Sequence, residues 1–174
     1  MKQRALIWIL ALAATAAVFA QRPSSPPAET MININGKTID IKYSAPSVRG
    51  RKIFGGTDAL QPDNTVWRAG ANQATSLHTD ATLNLGGLDV PPGNYTLFIF
   101  LGSNQWQLIV NKQTGQSGLE YHKSQDLGRA PMTLSKAPAL VETLKYTLTQ
   151  TGPNQGMLTL QWENVSASVP FTVK

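Results

Sequence analysis

Cysteine is absent from the 174 residues, and with it go disulfides, thiolate metal sites, thiol nucleophiles and lipid attachment through a cysteine. Charge is sparse: Asp, Glu, Lys and Arg make up 14% of the chain, well under the usual quarter, a composition that suits neither disorder nor a coiled coil. Histidine occurs only twice. Neither His78 nor His122 stands in a metal-ligand motif, so no metal and no cofactor are expected. No serine lies in Gly-x-Ser-x-Gly, Ser-x-x-Lys does not occur, and no acid pair for glycoside cleavage can be chosen among the 10 carboxylates. Beyond residue 20 no stretch sustains apolar i, i+3, i+4 spacing for three turns, which leaves no helix for a phosphate loop to open. A hydrolase is therefore the least favoured of the functional classes considered.

The formal charge of +5 is mildly basic. Setting aside Lys2 and Arg4 leaves 13 cations against 10 anions, or +3. Nucleic-acid binders collect cations along one face with aromatic platforms between them. The only tight cluster here is Arg49, Arg51 and Lys52, so no nucleic-acid partner is expected. Residues 1–20 pair those two early cations with an apolar run, Ala5 to Phe19, that ends in Val18-Phe19-Ala20. This pattern predicts a secretory signal peptide cut after Ala20, since the run is short of the ~20 residues that span a bilayer. The mature protein is then expected in the periplasm or outside the cell, with no membrane span. Residues 21–30 hold Pro23, Pro26 and Pro27 among serines and read as a tether. Residues 31–174 remain for one domain, long enough to bury a core without disulfides or metal.

In that domain apolar residues recur with period two, as in Ile39/Ile41/Tyr43, Leu83/Leu85, Trp106/Leu108/Val110, Leu144/Tyr146/Leu148, Leu158/Leu160/Trp162 and Val169/Phe171/Val173. Each is a half-buried strand. Asn35-Gly36 is a strong hairpin signal, because both central turn positions need positive φ. Gly86-Gly87 and Gly102-Ser103-Asn104 punctuate later hairpins. Pro91-Pro92-Gly93-Asn94 launches Tyr95 to Leu101, apolar on both faces and so a central strand. A short helical turn has one place, Thr57 to Thr65. About nine strands with turns every 8 to 12 residues predict an all-β, antiparallel, jelly-roll-like β-sandwich with a long irregular loop between early strands.

Two islands break the alternation. Residues 43–56 combine Tyr43, Arg49 and Arg51 with glycines and an Ile53-Phe54 anchor. Pinned by that anchor, the loop could offer planar guanidinium forks to a carboxylate or phosphate; the plainer reading is a solvated crossover whose cations keep a sheet edge soluble. In residues 66–75 Trp67, Arg68, Asn72 and Gln73 gather within seven positions. They either contact a ligand or act as struts that satisfy stranded carbonyls.

Tyr43 to Gly55, Val66 to Asn72 and Pro91 to Phe98, together with Trp106 to Lys112 and the Trp162 to Lys174 tail, resemble the bacterial family called domain of unknown function 2911. The resemblance covers about Ile32 to Lys174. It implies exported bacterial proteins and carries no activity over. Members commonly have Glu after Gly-Ala-Asn, where this chain has Gln73; an amide cannot serve as a general base.

The resulting expectation is a non-catalytic binding module for a small anionic or sugar-like ligand. Tyr43, Arg49, Arg51, Trp67, Arg68, Asn72 and Gln73 are the candidate site: Trp67 to stack, Arg51 and Arg68 to bind oxygens, Asn72 and Gln73 to fix orientation. The alternative is an envelope structural or protein-interaction domain with a protein partner, in which both islands are internal struts.

Overall fold

A computed structural model describes residues 25–174 of the chain. The expected signal peptide and the first part of the expected tether lie outside the described residues. Eleven strands fold into two antiparallel sheets, against the nine expected. They are β1 (Pro27–Ile34), β2 (Lys37–Ser44), β3 (Val66–Trp67), β4 (Thr75–Thr79), β5 (Leu83–Leu85), β6 (Leu88–Val90), β7 (Gly93–Leu101), β8 (Trp106–Asn111), β9 (Asp126–Pro131), β10 (Thr133–Gly152) and β11 (Gln155–Val173). The extra strands are short pieces such as β3 and β6, too brief to show a period of their own.

One sheet runs β1-β2-β4-β7-β8-β9, with β3 also on β7; the other runs β10-β11-β5-β6. The alternating residues named above face each other across the sandwich. Ile39, Ile41, Leu97, Ile99, Leu108 and Val110 meet Tyr146, Leu160, Trp162, Val169 and Phe171 in one buried cluster. Each such side chain contributes roughly 1.5–3 kcal/mol by leaving water. The β1–β2 turn forms as its sequence requires, with Asn35 at φ 54° and Gly36 at φ 77°. β7 is central and buried on both faces. Its outer face, through Phe98, is covered by the β8–β9 connection, whose Tyr121 ring lies 5.0 Å from Phe98.

Two expectations are corrected. The tether does not extend to residue 30, because β1 begins at Pro27; a proline is tolerated there as the first residue of an edge strand, where no ladder donor is missed. Residues 57–65 form turns rather than a helical turn, with Asn64 left-handed at φ 61°. The one helical turn among the described residues is a 3-10 turn at Lys123–Gln125.

The connection from β2 to β3 crosses one end of the sandwich and is tied down at three points. Ile53 and Phe54 are buried, the anchor read from sequence. Residues 46–48 lie along the free edge of β10: Val48 N donates to Glu142 O at 2.8 Å and Leu144 N to Pro46 O at 2.9 Å. This covering satisfies edge groups of β10 where its register with β11 slips, between Lys136 and Lys145. Ile53 N then donates to Glu163 Oε1 of β11 at 3.2 Å.

Candidate functional site

The β2–β3 loop and residues 68–72 meet at this end of the sandwich and enclose a recess of about 270 Å³. Ser47, Arg49, Arg51, Gln61, Arg68 and Asn72 are among its lining residues. Among the described residues no carboxylate or imidazole lines it, while Arg49, Arg51 and Arg68 give it a cationic lining. Trp162, on β11, adds an aromatic wall.

Backbone geometry around the recess is unusual. Arg49, Ala69 and Asn72 all lie in the left-handed region, at φ 51°, 54° and 56°. For a residue with a Cβ this conformation costs about 1–2 kcal/mol, and such residues cluster where surrounding structure enforces them. The enforcement is visible. The Ala69 carbonyl accepts from Tyr146 Oη at 2.8 Å and from Thr75 Oγ1 at 3.1 Å. Ala71 N donates to Ser44 O at 3.1 Å, and Asn72 Nδ2 to Ser25 O at 3.3 Å. Arg49 N donates to Glu142 Oε1 at 2.9 Å. Burial, reinforced by the neighbouring Tyr43 hydroxyl, pushes the Tyr146 pKa well above its ordinary value, which keeps it a donor to Ala69.

The arginines differ in their commitments. Arg51 donates Nε to Val48 O at 3.0 Å and Nη2 to Ser47 O at 2.6 Å, so two of its five donors hold the loop in shape. Arg68 makes no hydrogen bond and no ion pair among the described residues, although it is half-buried. Its stem is seated against Gly118, where a Cβ would stand 2.7 Å from Arg68 Cδ and 2.8 Å from the Asn72 carbonyl. Only glycine permits that approach.

Arg68 also borders a second recess of about 370 Å³. Leu60 and Gln61 are likewise common to both recesses. Val66, Trp67, Phe98, Leu119 and Tyr121 complete most of the second lining. Tyr121 is fixed there by a polar network. Its hydroxyl donates to Asp126 Oδ2 at 2.7 Å and accepts from Arg129 Nη2 at 2.9 Å, while Asn111 Nδ2 holds Asp126 Oδ1 at 2.9 Å. Burial and the hydrogen bond to Asp126 both raise the Tyr121 pKa, so the hydroxyl stays protonated.

Of the candidate residues, Arg49, Arg51, Arg68 and Asn72 therefore share one recess. Tyr43 does not line it. It is buried in the core, its ring edge-on to Tyr146 at 4.8 Å and its hydroxyl accepting from Tyr146 N at 3.1 Å. Trp67 is corrected too: it is buried and stacked on Trp162 at 5.7 Å with 18° between the planes, so its face is not offered to a ligand ring. Phe54 meets both indoles edge-on at 5.4 and 5.7 Å. Gln73 is exposed, bridges to Ser117 through the backbone and does not line the recess. Sequence reasoning missed Trp162 and Gln61. Trp162 sits in phase with Leu158 and Leu160, a pattern that reads as core and gives no sign that the ring also borders an opening.

The model of a family described as protein of unknown function (DUF2911) matches residues 25–171, most of the chain. No curated protein and no solved structure matches.

Proposed function

This chain belongs to the DUF2911 family of proteins of unknown function, and we propose that its role is to bind a small anionic ligand, without catalysis, in the three-arginine recess. The observation that carries this reading is Arg68: a half-buried residue whose guanidinium makes no hydrogen bond or ion pair among the described residues, bordering a recess whose described lining holds no acid. A guanidinium with no protein partner among the described residues leaves its five donors for a ligand that brings a counter-charge. A carboxylate or phosphate supplies it, through charge-assisted hydrogen bonds roughly twice as strong as neutral ones. Asn72, Gln61 and Ser47 add neutral hydrogen-bonding groups that suit the oxygens of such a group.

The donor set is that of anion recognition rather than proton transfer, since no carboxylate or imidazole among the described residues lines the recess. A sugar is the weaker candidate, because the stacking platform expected of Trp67 is used inside the core. The leader-like residues 1–20 support an exported protein that meets its ligand outside the cytoplasm. The strut reading retains a specific support in Arg51, whose bonds to Ser47 and Val48 carbonyls shape the loop. Arg51 is thus assigned both tasks and Arg68 the binding task alone.

The test is a thermal-shift panel of carboxylates, phosphate and sulfate on the wild type and on Arg68→Ala. A ligand at 100 times its Kd adds about 2.7 kcal/mol, which raises the Tm of a domain this size by several degrees. Arg68→Ala is expected to abolish that rise. A flat response to every anion, or an undiminished rise in the variant, overturns the proposal.

A further inference from the structure

We propose that the ligand is an amphiphilic anion, an acid carrying an alkyl or aryl tail, with its charged head in the three-arginine recess and its tail in the second recess. This rests on the anion-binding reading above and extends it to the chemistry of the rest of the molecule. The two recesses are not independent, because Arg68, Leu60 and Gln61 border both. At about 270 and 370 Å³ each lies near the floor of the size range of ligand pockets, roughly 300–1,000 Å³, so a ligand confined to one of them is very small.

Their linings are complementary halves of an amphiphile. The first is cationic. The second brings together Val66, Phe98, Leu119 and the Tyr121 ring, and its only charged residue among the described residues is the shared Arg68. Arginine suits that saddle, since its three-carbon stem packs against apolar groups while its head stays polar. Two large apolar side chains are left open to solvent at the same place: Leu119 is 81% exposed and Leu60 42%. A single exposed leucine is ordinary. Here both stand on the walls of recesses that adjoin an uncompensated guanidinium, and an apolar tail would take both out of water.

The experiment measures, by calorimetry on the wild-type protein, the Kd of acetate, butyrate, hexanoate, octanoate and phenylacetate, all below self-association, with octanol, octylammonium and inorganic phosphate beside them. Affinity is expected to rise about fourfold per methylene, the yield of burying one CH₂, until the recess is filled. Leu119→Ser, at a site exposed enough to leave folding unchanged, is expected to weaken octanoate at least fivefold and leave acetate unaffected. Arg68→Gln is expected to weaken every acid.

If short acids and phosphate bind through Arg68 but the tail adds nothing, or Leu119→Ser changes nothing, the amphiphile is overturned while the anion site stands. If octanol or octylammonium binds as tightly as octanoate, the second recess is a general apolar surface and the inference is overturned. If no anion binds, both readings fall together.

Discussion

The Tyr146 hydroxyl donates to the Ala69 carbonyl at 2.8 Å, a bond that ties β10 of one sheet to the arginine-bearing segment of the other. Ala69 is left-handed and buried, so its backbone adopts this form because the surroundings impose it. Thr75 Oγ1 holds the same carbonyl at 3.1 Å.

Tyr146→Phe removes one of the two donors and keeps the ring that packs on Tyr43. The expected loss is about 1 kcal/mol, or about 2–4 °C in Tm. Because Ala69 adjoins Arg68, the variant is also expected to bind anions more weakly than its lost stability explains. Denaturant titration with and without ligand measures both quantities.

Arg51 and Arg68 are expected to separate. Arg51→Ala frees the Ser47 and Val48 carbonyls of their partner and lowers stability by about 1–2 kcal/mol. Arg68→Ala breaks no hydrogen bond among the described residues and is expected to shift Tm by less than Arg51→Ala does, while ending the anion-induced rise. Equal stability losses in the two variants would contradict the division of roles.

Gly118→Ala places a methyl group 2.7 Å from Arg68 Cδ and 2.8 Å from the Asn72 carbonyl. The side chain can move, but the carbonyl is backbone and already accepts from Gly118 N at 3.2 Å. Overpacking of this kind costs about 1–3 kcal/mol. The expected signature is a stability loss accompanied by weakened anion binding, read in one thermal-shift series.

His78 places Nε2 3.1 Å from Asp80 Oδ1 and Nδ1 3.0 Å from Asn94 Oδ1. The bond to Asp80, then that to Asn94, raises its pKa above the ordinary 6.5. A raised folded-state value means that the stabilisation is complete below the unfolded value and fades as the pH climbs through the folded one. Asp80 behaves oppositely: hydrogen bonds from Thr38 N and then His78 depress its pKa, so its contribution holds above about 3.8 and fades as the pH falls. Tm is therefore expected to decline from about pH 6.5 upward, with His78→Gln flattening that decline. An NMR titration of the imidazole that gives an ordinary value would contradict it.

Much of the fold was legible because a strand announces itself by period two and a hairpin by its turn residues. Ile39/Ile41, Leu158/Leu160 and Asn35-Gly36 behave as read. The Ile53-Phe54 anchor was legible from the improbability of two large apolar residues in an otherwise polar loop. Arg49, Arg51, Arg68 and Asn72 were identifiable as residue types out of place in a sandwich, and they do share one recess. Tyr43 was misread although its signal was present, since it is in phase with Ile39 and Ile41 and hence faces the core. Trp67 gave no such phase, because β3 is two residues long. The place of Trp162 depends on how the two sheets align, which no local pattern encodes.

The Trp67–Trp162 stack gives the molecule an optical gauge of its own. Each indole borders a different one of the two openings, and the rings lie 5.7 Å apart. Occupancy on either side thus changes the surroundings of a chromophore pair whose emission needs no added dye, and exchanging one indole for phenylalanine at a time tells which compartment a titrant has entered.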